Sequence, residues 1–218
     1  EVVGASLDSV RRSFTSPSNV PRLFRRTTTL GGPPQGLVLD GNVAEWAGGS
    51  GLWIRRPTEV QAGAAAWSGE ADASMHAWAG YDQGALYVAA RVWDDQVRSN
   101  DRTASSIWNG DALELYISGA AQDQSGREST YLADDFRLGI GYGQATLVDI
   151  GRGQIVPGAT AAILVLADGY SLEARIPFSS LHGLSPMLNR EIGLDLALDD
   201  ADGTASRESL LVWSGTAN

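Results

Sequence analysis

One segment of the 218-residue chain reads Ala161-Ala162-Ile163-Leu164-Val165-Leu166-Ala167-Asp168-Gly169-Tyr170-Ser171-Leu172-Glu173-Ala174-Arg175-Ile176-Pro177. It contains two apolar runs with a period of two, and an Asp-Gly pair stands between them. Alternation of this kind is typical of a β-strand with one buried face. An Asp-Gly pair between two such runs favours a tight turn. The segment therefore predicts an antiparallel β-hairpin.

Similar short runs occur along most of the chain after residue 36. Turn-forming residues separate them, and helical periodicity is weak, with only a short helical turn expected at Phe178–His182. Many short strands with little helix predict an all-β fold. We expect one antiparallel β-sandwich, jelly-roll or immunoglobulin-like, with very little helix. The predicted strands are Met75–Ala79, Ala85–Trp93, Ala112–Ser118, Phe136–Tyr142, Ala161–Ala167, Tyr170–Pro177, Ile192–Asp199 and Ser209–Trp213.

Residues 1–35 differ in composition from the rest. They hold several arginines and end in Gly31-Gly32-Pro33-Pro34. We interpret them as an arm or linker with a short helix around Leu7–Phe14, and residues 36–218 as the β-sandwich domain. The first residue is Glu1 and not an initiator methionine, and no signal-peptide pattern follows it. We therefore expect either a processed chain or an excised fragment.

The composition argues against several classes of function. Sixteen basic residues, all arginine, and 26 acidic ones give a net charge of −10, whereas nucleic acid and anionic lipid require clustered cations. The absence of cysteine excludes disulfides and thiolate metal sites. No apolar run approaches the ~20 residues of a membrane span. We therefore expect no nucleic-acid partner, no membrane insertion, and a secreted, periplasmic or cell-surface location.

A candidate ligand-binding stretch runs from Ile107 to Glu114 and includes Trp108, Asn109 and Asp111. The C–H face of a sugar stacks on a flat aromatic ring, and carboxylate, amide and guanidinium groups bind its hydroxyls at the rim. Asp111 and Glu114 are three residues apart, so they face opposite sides of a regular strand. We expect Glu114 to serve the ligand and Asp111 to support the structure.

Arg137 is a second candidate. It lies between Phe136 and Leu138, so it alternates with predicted core residues. An arginine at such a position often pairs with a carboxylate. We expect Glu114 to be its partner, and we expect Tyr116, on the same strand as Glu114, to help build the core.

Five segments carry a family resemblance. They are Leu39–Trp46, Gly84–Val92, Trp108–Tyr116, Gly169–Pro177 and Asp199–Gly203. In this order they resemble the successive blocks of the family 9 carbohydrate-binding modules, which lie within the wider DOMON-like superfamily. The resemblance implies a β-sandwich that holds a sugar between two aromatic rings. It also implies an oligo- or polysaccharide ligand, a link to polysaccharide degradation, and adjoining catalytic domains.

The resemblance also implies roles for single residues. Trp108 matches one aromatic ring of the sugar slot, and Glu114 matches the sugar-binding acid. Arg137 falls where a ligand-contacting arginine is expected. Trp213 matches the second ring, and Asn109 neighbours the site with suitable chemistry.

A metal site is also expected. Asp199-Asp200-Ala201-Asp202-Gly203 spaces oxygen ligands as a calcium loop does, with a glycine for the turn, and the resemblance implies structural calcium. The candidate ligands are Asp199, Asp202 and Asp40, with Asp94-Asp95 as further candidates. The alternative is a simple acidic turn.

No pattern of a catalytic site is present: there is no Gly-x-Ser-x-Gly, HExxH or phosphate-binding loop. We therefore expect a non-catalytic module. One alternative is a DOMON-type haem domain for electron transfer, with axial ligands drawn from Met75, Met187, His76 and His182. The other is an interaction module with a degenerate sugar slot, which burial of either predicted slot tryptophan would favour.

Overall fold

The computed structural model describes residues 26, 28–119, 134–185, 192–203 and 206–214. Within them, four short 3-10 helices cover Val43–Trp46, Pro57–Glu59, Ala104–Asn109 and Phe178–Ser180. The strands are β1 (Leu52–Ile54), β2 (Val60–Ala62), β3 (Ala73–Tyr81), β4 (Ala85–Asp94), β5 (Ala112–Ser118), β6 (Asp135–Gly141), β7 (Leu147–Asp149), β8 (Gln154–Ile155), β9 (Thr160–Leu166), β10 (Gly169–Pro177), β11 (Gly193–Asp200) and β12 (Ser209–Val212).

These strands form two sheets. The five-stranded sheet has the order β1-β3-β4-β10-β9, and the seven-stranded sheet has the order β2-β12-β11-β5-β6-β7-β8. All pairings between these strands are antiparallel. The main core joins alternate residues of both sheets, among them Met75, Leu172, Leu115 and Leu138. The predicted antiparallel β-sandwich with little helix is confirmed.

The predicted hairpin joins β9 and β10, with Leu166 paired to Gly169 in register. Gly169 has φ 130°, and a Cβ at this position would lie 2.2 Å from the Val92 carbonyl oxygen. Only glycine combines this backbone conformation with so close an approach. The glycine of the sequence signal is therefore required by the turn.

All eight predicted strands are present, with small shifts at their ends. Strands β1, β2, β7 and β8 were missed because runs of two or three residues show no alternation. The predicted helical turn at Phe178–His182 is a 3-10 helix that ends at Ser180. The predicted helix around Leu7–Phe14 lies outside the described residues.

Tyr116, predicted to help build the core, packs against a smaller apolar cluster outside the main core. It follows the fully buried Leu115, and alternation turns its side chain to the outer face of the seven-stranded sheet, away from the core. There it packs against Ala197, Leu210 and Val212.

The buried carboxylate of Glu173 fixes the segment Leu39–Trp46 to the outer face of the five-stranded sheet. Glu173 on β10 is fully buried. Its Oε1 accepts a hydrogen bond from Trp46 Nε1 at 2.9 Å, and its Oε2 accepts from the backbone N–H groups of Asp40 and Gly41 at 3.1 and 3.0 Å. One side chain thus holds residues 40–46 against the sheet.

We expect Glu173→Ala to lower the free energy of unfolding by about 2–4 kcal/mol, because it leaves three donors without their acceptor. Urea unfolding followed by tryptophan fluorescence measures the loss. Glu70→Ala is the matched control, because Glu70 has 59% of its side chain exposed. Equal stability of the two variants would contradict the anchoring role.

Candidate functional site

The predicted site lies on the outer face of the seven-stranded sheet. Glu114 on β5 and Arg137 on β6 face outward because their chain neighbours Leu113, Leu115 and Leu138 face the core. Arg137 Nε donates to Glu114 Oε2 at 2.5 Å, and Arg137 Nη2 donates to Glu114 Oε1 at 2.8 Å. The predicted ion pair is confirmed and is bidentate.

Burial separates the roles of the two partners. The Glu114 side chain is 0% exposed and that of Arg137 is 28% exposed. Direct contact between Glu114 and a ligand, as predicted, would require Arg137 to move aside. Arg137 is the member that reaches the surface, and Glu114 fixes the orientation of its guanidinium.

A second ion pair lies beside the first. On β11, Asp199 Oδ1 accepts from Arg207 Nη1 at 2.8 Å, and the Asp199 side chain is fully buried. Asp199 Oδ2 is buried with no donor among the described residues. Burial, and then the charge of Glu114, raises the pKa of Asp199 well above its ordinary value. A proton retained on Asp199 lets the two acids hydrogen-bond to each other instead of repelling.

Trp108 lies next to the Asp199–Arg207 ion pair, in the 3-10 helix Ala104–Asn109. The Arg207 guanidinium carbon is 5.1 Å from the centroid of its ring. Its indole Nε1 donates to Ser105 O at 3.1 Å. Asn109 Oδ1 accepts from the Arg207 backbone N–H at 3.0 Å, so Asn109 positions the loop that carries Arg207.

The Arg137 guanidinium carbon lies 5.7 Å from the centroid of the Tyr116 ring. We call Trp108, Arg207, Asp199, Glu114, Arg137 and Tyr116 the surface row. Arg207 was not predicted from the sequence, and Tyr116 was predicted as a packing residue and not as part of the site. A signal existed for Tyr116, since it is two residues from Glu114 and so shares its face. Arg207 had no such signal.

Trp213 does not join this row. Its side chain is 7% exposed and belongs to the main core. Along the last strand, Leu210 and Val212 face outward while Leu211 and Trp213 face inward. A ring so buried offers no open face for a sugar, so the structure does not support Trp213 as the second stacking ring.

A separate acidic cluster lies at one end of the sandwich. In an antiparallel pair, the first residues of one strand lie beside the last residues of its partner. The start of β3 therefore lies beside the end of β4, and the start of β5 lies beside the end of β11. Each of these strand ends carries aspartates. The cluster comprises Asp72, Asp94, Asp95, Asp111, Asp200 and Asp202, which form three overlapping triads with oxygens within 4.8 Å of one another.

The carboxylates of this cluster are only partly satisfied. Asp111 accepts from the backbone N–H groups of Arg98 at 2.6 Å and Ala201 at 2.8 Å. Asp200 Oδ2 accepts from Ser209 Oγ at 2.9 Å. Asp200 Oδ1 and Asp202 Oδ1 are buried and have no hydrogen-bond partner among the described residues. Such orphaned oxygens are suited to a hard cation.

Burial raises the pKa of Asp94, Asp111 and Asp200 to about 7 each. The negative charge of a neighbouring carboxylate raises each pKa further. The neighbour is Asp111 for Asp94, Asp200 for Asp111, and Asp202 for Asp200. With no cation present, the site therefore resists full ionisation.

The predicted metal ligands divide between the two regions. Asp202 and the further candidates Asp94 and Asp95 belong to the acidic cluster. Asp199 does not, because alternation turns it to the outer face, where Arg207 binds it. Asp40 does not either: it is exposed, and its Oδ1 accepts from the Asn42 backbone N–H at 2.8 Å.

Among the described residues, the structure does not bring the predicted axial haem ligands together. Met75 is fully buried in the core, and the adjacent His76 faces the other side of β3. His182 is exposed after the short helix that follows β10, and Met187 lies outside the described residues. The part of the chain that the structure describes also contains no helix long and apolar enough to span a bilayer.

The chain is similar to short parts of much longer proteins. Exoglucanase XynX of Acetivibrio thermocellus is 30% identical over 141 residues, 62% of this chain but 11% of that protein. Endo-1,4-beta-xylanase A of Thermotoga neapolitana is 26% identical over 141 residues, 63% of this chain and 12% of that protein. The chain thus matches only a small part of either relative.

A solved structure has a similar fold. It is a family 9 carbohydrate-binding module from Caldicellulosiruptor kristjanssonii in complex with cellotriose, with a TM-score of 0.63 and 21% identity over 84% of this chain and 83% of that chain. The family model described as "Carbohydrate family 9 binding domain-like" matches residues 39–218. Because that match covers most of its length, the chain belongs to this family of carbohydrate-binding domains.

Proposed function

We propose that the chain is a non-catalytic carbohydrate-binding module whose ligand lies on the surface row. The observation that supports this most is a pair of arginines, each held by a buried acid, with the Trp108 ring beside Arg207 and the Tyr116 ring beside Arg137. A pyranose stacks one C–H face on an indole ring, and planar guanidinium groups donate to its hydroxyls in pairs. Arg207 and Arg137 supply those donors.

The buried acids act through the arginines. Glu114 and Asp199 each accept from one guanidinium, so the donor groups are already oriented before the ligand arrives. Preorganised donors lose less conformational entropy on binding. Tyr116 is the second aromatic ring on this face, in place of the predicted Trp213.

The proposed ligand is a glucan or a related plant-type polysaccharide. The similar module binds cellotriose, and the relatives are an exoglucanase and a xylanase. We propose that the chain works beside catalytic domains of this kind in a bacterial protein that is secreted, periplasmic or on the cell surface.

We further propose that the acidic cluster binds calcium. Calcium takes six to eight oxygen ligands, and the six aspartates offer several, two of them with orphaned oxygens. The ion would supply charge neutralisation at the end of the sandwich. Because Asp111 directly precedes β5, which carries Glu114, calcium would also steady the strand that supports the surface row.

Trp108→Ala is expected to weaken binding of cellohexaose at the surface row by about tenfold or more, because the stacking face is lost. Isothermal titration with calcium present measures the affinity, and thermal unfolding checks that the fold is retained. Trp108→Phe is the matched control, and it should keep part of the affinity. Unchanged affinity in Trp108→Ala would contradict the site. Absence of binding to any of a panel of glucans and xylans would instead favour the degenerate module.

A further inference from the structure

A cavity lies at one edge of the sandwich, away from the surface row. Strands β1 and β2 are the edge strands of the two sheets, and the segment Pro57–Glu59 connects them. Beside this connection is a cavity of about 370 Å³ whose lining includes Trp53, Arg56, Glu59, Arg26 and Trp213. We call it the edge groove. Its volume is at the lower end of the range of small-ligand sites, about 300–1,000 Å³.

Trp53 is the most exposed aromatic residue that lines the edge groove, at 37%. Its ring is held by its neighbours: the His76 ring is stacked on it at 4.0 Å and 8°, and the Trp93 ring lies at 5.7 Å and 16°. The Arg55 guanidinium carbon is 4.5 Å from its centroid. The ring is therefore presented in a fixed orientation.

Arg55 does not block the ring permanently. Its ion pair with Glu70 spans 3.5 Å, and the two side chains are 41% and 59% exposed. Exposed pairs of this kind hold weakly, so a ligand can displace the guanidinium from the ring. Once moved, Arg55 is at the rim of the ring, where hydroxyl groups would lie.

Polar groups with fixed geometry line the rest of the groove. Glu59 is buried, and its Oε1 pairs with Arg26 Nη2 at 2.6 Å. Glu59 Oε2 accepts from the backbone N–H groups of Arg55 and Arg56 at 2.5 and 2.9 Å. Arg56 itself is exposed at the mouth of the groove. Charges of both signs meet here, which suits a neutral hydroxylated ligand better than an ion.

The surroundings do not resemble a protein interface. The other large apolar side chains exposed in the described residues are Val38, Ile155, Leu164 and Val165. Leu164 and Val165 lie on β9, at the opposite edge of the same sheet from Trp53, and Ile155 lies on β8, at the far edge of the other sheet. Trp53 is thus a single exposed ring among polar groups. A stable protein interface buries a much larger surface, about 800 Å² per partner.

We propose that the edge groove is a second saccharide-binding site, which takes a neutral oligosaccharide with one sugar stacked on Trp53 and its hydroxyls bound by Arg56, Arg55 and Arg26. The site lies on a different side of the sandwich from Trp108 and does not depend on the surface row. Two sites on one domain would let the module hold two chains, or two parts of one chain, with increased overall affinity.

The test uses the whole chain with calcium present and titrates cellohexaose and xylohexaose separately. Wild type is compared with Trp53→Ala, Trp108→Ala and the double variant, and Val165→Ala serves as the control for loss of an exposed apolar side chain. We expect Trp53→Ala to remove one of two binding events, with about tenfold or greater weakening at that site. Arg56→Ala, at an exposed position, gives a second variant that keeps the fold and should weaken the same event several-fold.

The outcomes separate the two sites. Binding that survives Trp108→Ala but is lost in the double variant supports the edge groove, whatever happens at the surface row. Titrations of Trp53→Ala and Arg56→Ala that match wild type overturn the edge groove and leave Trp108 untouched. If no saccharide binds to wild type, both sites fall. Self-association in sedimentation that Trp53→Ala abolishes, without saccharide binding, would assign the groove to a second copy of the chain and overturn the proposal.

Discussion

Chelation of calcium is expected to lower the free energy of unfolding by about 3–4 kcal/mol at neutral pH, if the ion is present at several hundred times its dissociation constant. The reason is the acidic cluster. Without a cation, its buried carboxylates repel each other and two of their oxygens lack partners. A cation removes both penalties at once. Thermal and urea unfolding with calcium or with chelator measure the difference.

The effect should depend on pH with a definite sign. The pKa values of Asp94, Asp111 and Asp200 in the folded chain are about 7, above the ordinary value of 3.8. A raised pKa means that the folded state binds protons more tightly than the unfolded state. The contribution of these three groups to the stability of the chelated protein should therefore be fully present below about pH 4 and be lost as the pH rises through about 7. Stabilisation by calcium should grow over the same interval.

A single substitution separates this account from a general salt effect. Asp200→Asn removes one charge from the centre of the cluster and keeps the size of the side chain. It should stabilise the chelated protein at pH 8 and reduce the response to calcium. Glu70→Gln, at an exposed position outside the cluster, should change neither quantity. A calcium response that is equal at pH 5 and pH 8 would contradict the role of the cluster.

Local patterns predicted what depends on local order. Period-two alternation located the longer strands, and it placed Asp111 and Glu114 on opposite sides, as found. The same rule applied one strand further would have placed Trp213 inward beside Leu211. The family resemblance implies an open ring at this position, and the structure does not support Trp213 as a ligand site.

Contacts between segments that are far apart in the sequence were harder to predict. Asp199, the partner of Arg207, lies beside Glu114 only because β11 is next to β5 in the sheet. The strand order also gathers six aspartates from four strand ends into one cluster. Sequence shows an acidic residue at each end but does not show which ends are neighbours. Asp199 and Asp200 are adjacent in sequence, yet alternation sends one to the surface row and the other to the acidic cluster.

Arg137→Leu tests the surface row most severely. Glu114 is fully buried, and Arg137 is the cation that satisfies both of its oxygens. Removal of one partner of a buried ion pair commonly costs about 3–5 kcal/mol, because the remaining charge stays buried. Asp199 beside Glu114 does not replace the lost cation, because its raised pKa keeps it neutral. We expect a loss of this size at pH 7, measured by urea unfolding, together with weaker binding of cellohexaose.

The double variant Arg137→Leu/Glu114→Gln distinguishes a buried charge from lost packing. It removes the uncompensated carboxylate of Glu114, so it should recover much of the stability. It should not recover the affinity for sugar, because the Arg137 guanidinium is still absent. Arg55→Leu breaks an exposed pair and should change stability by less than about 1 kcal/mol. If the double variant is no more stable than Arg137→Leu, the arginine acts mainly through packing, and the account of Glu114 as a buried charge that orients it is wrong.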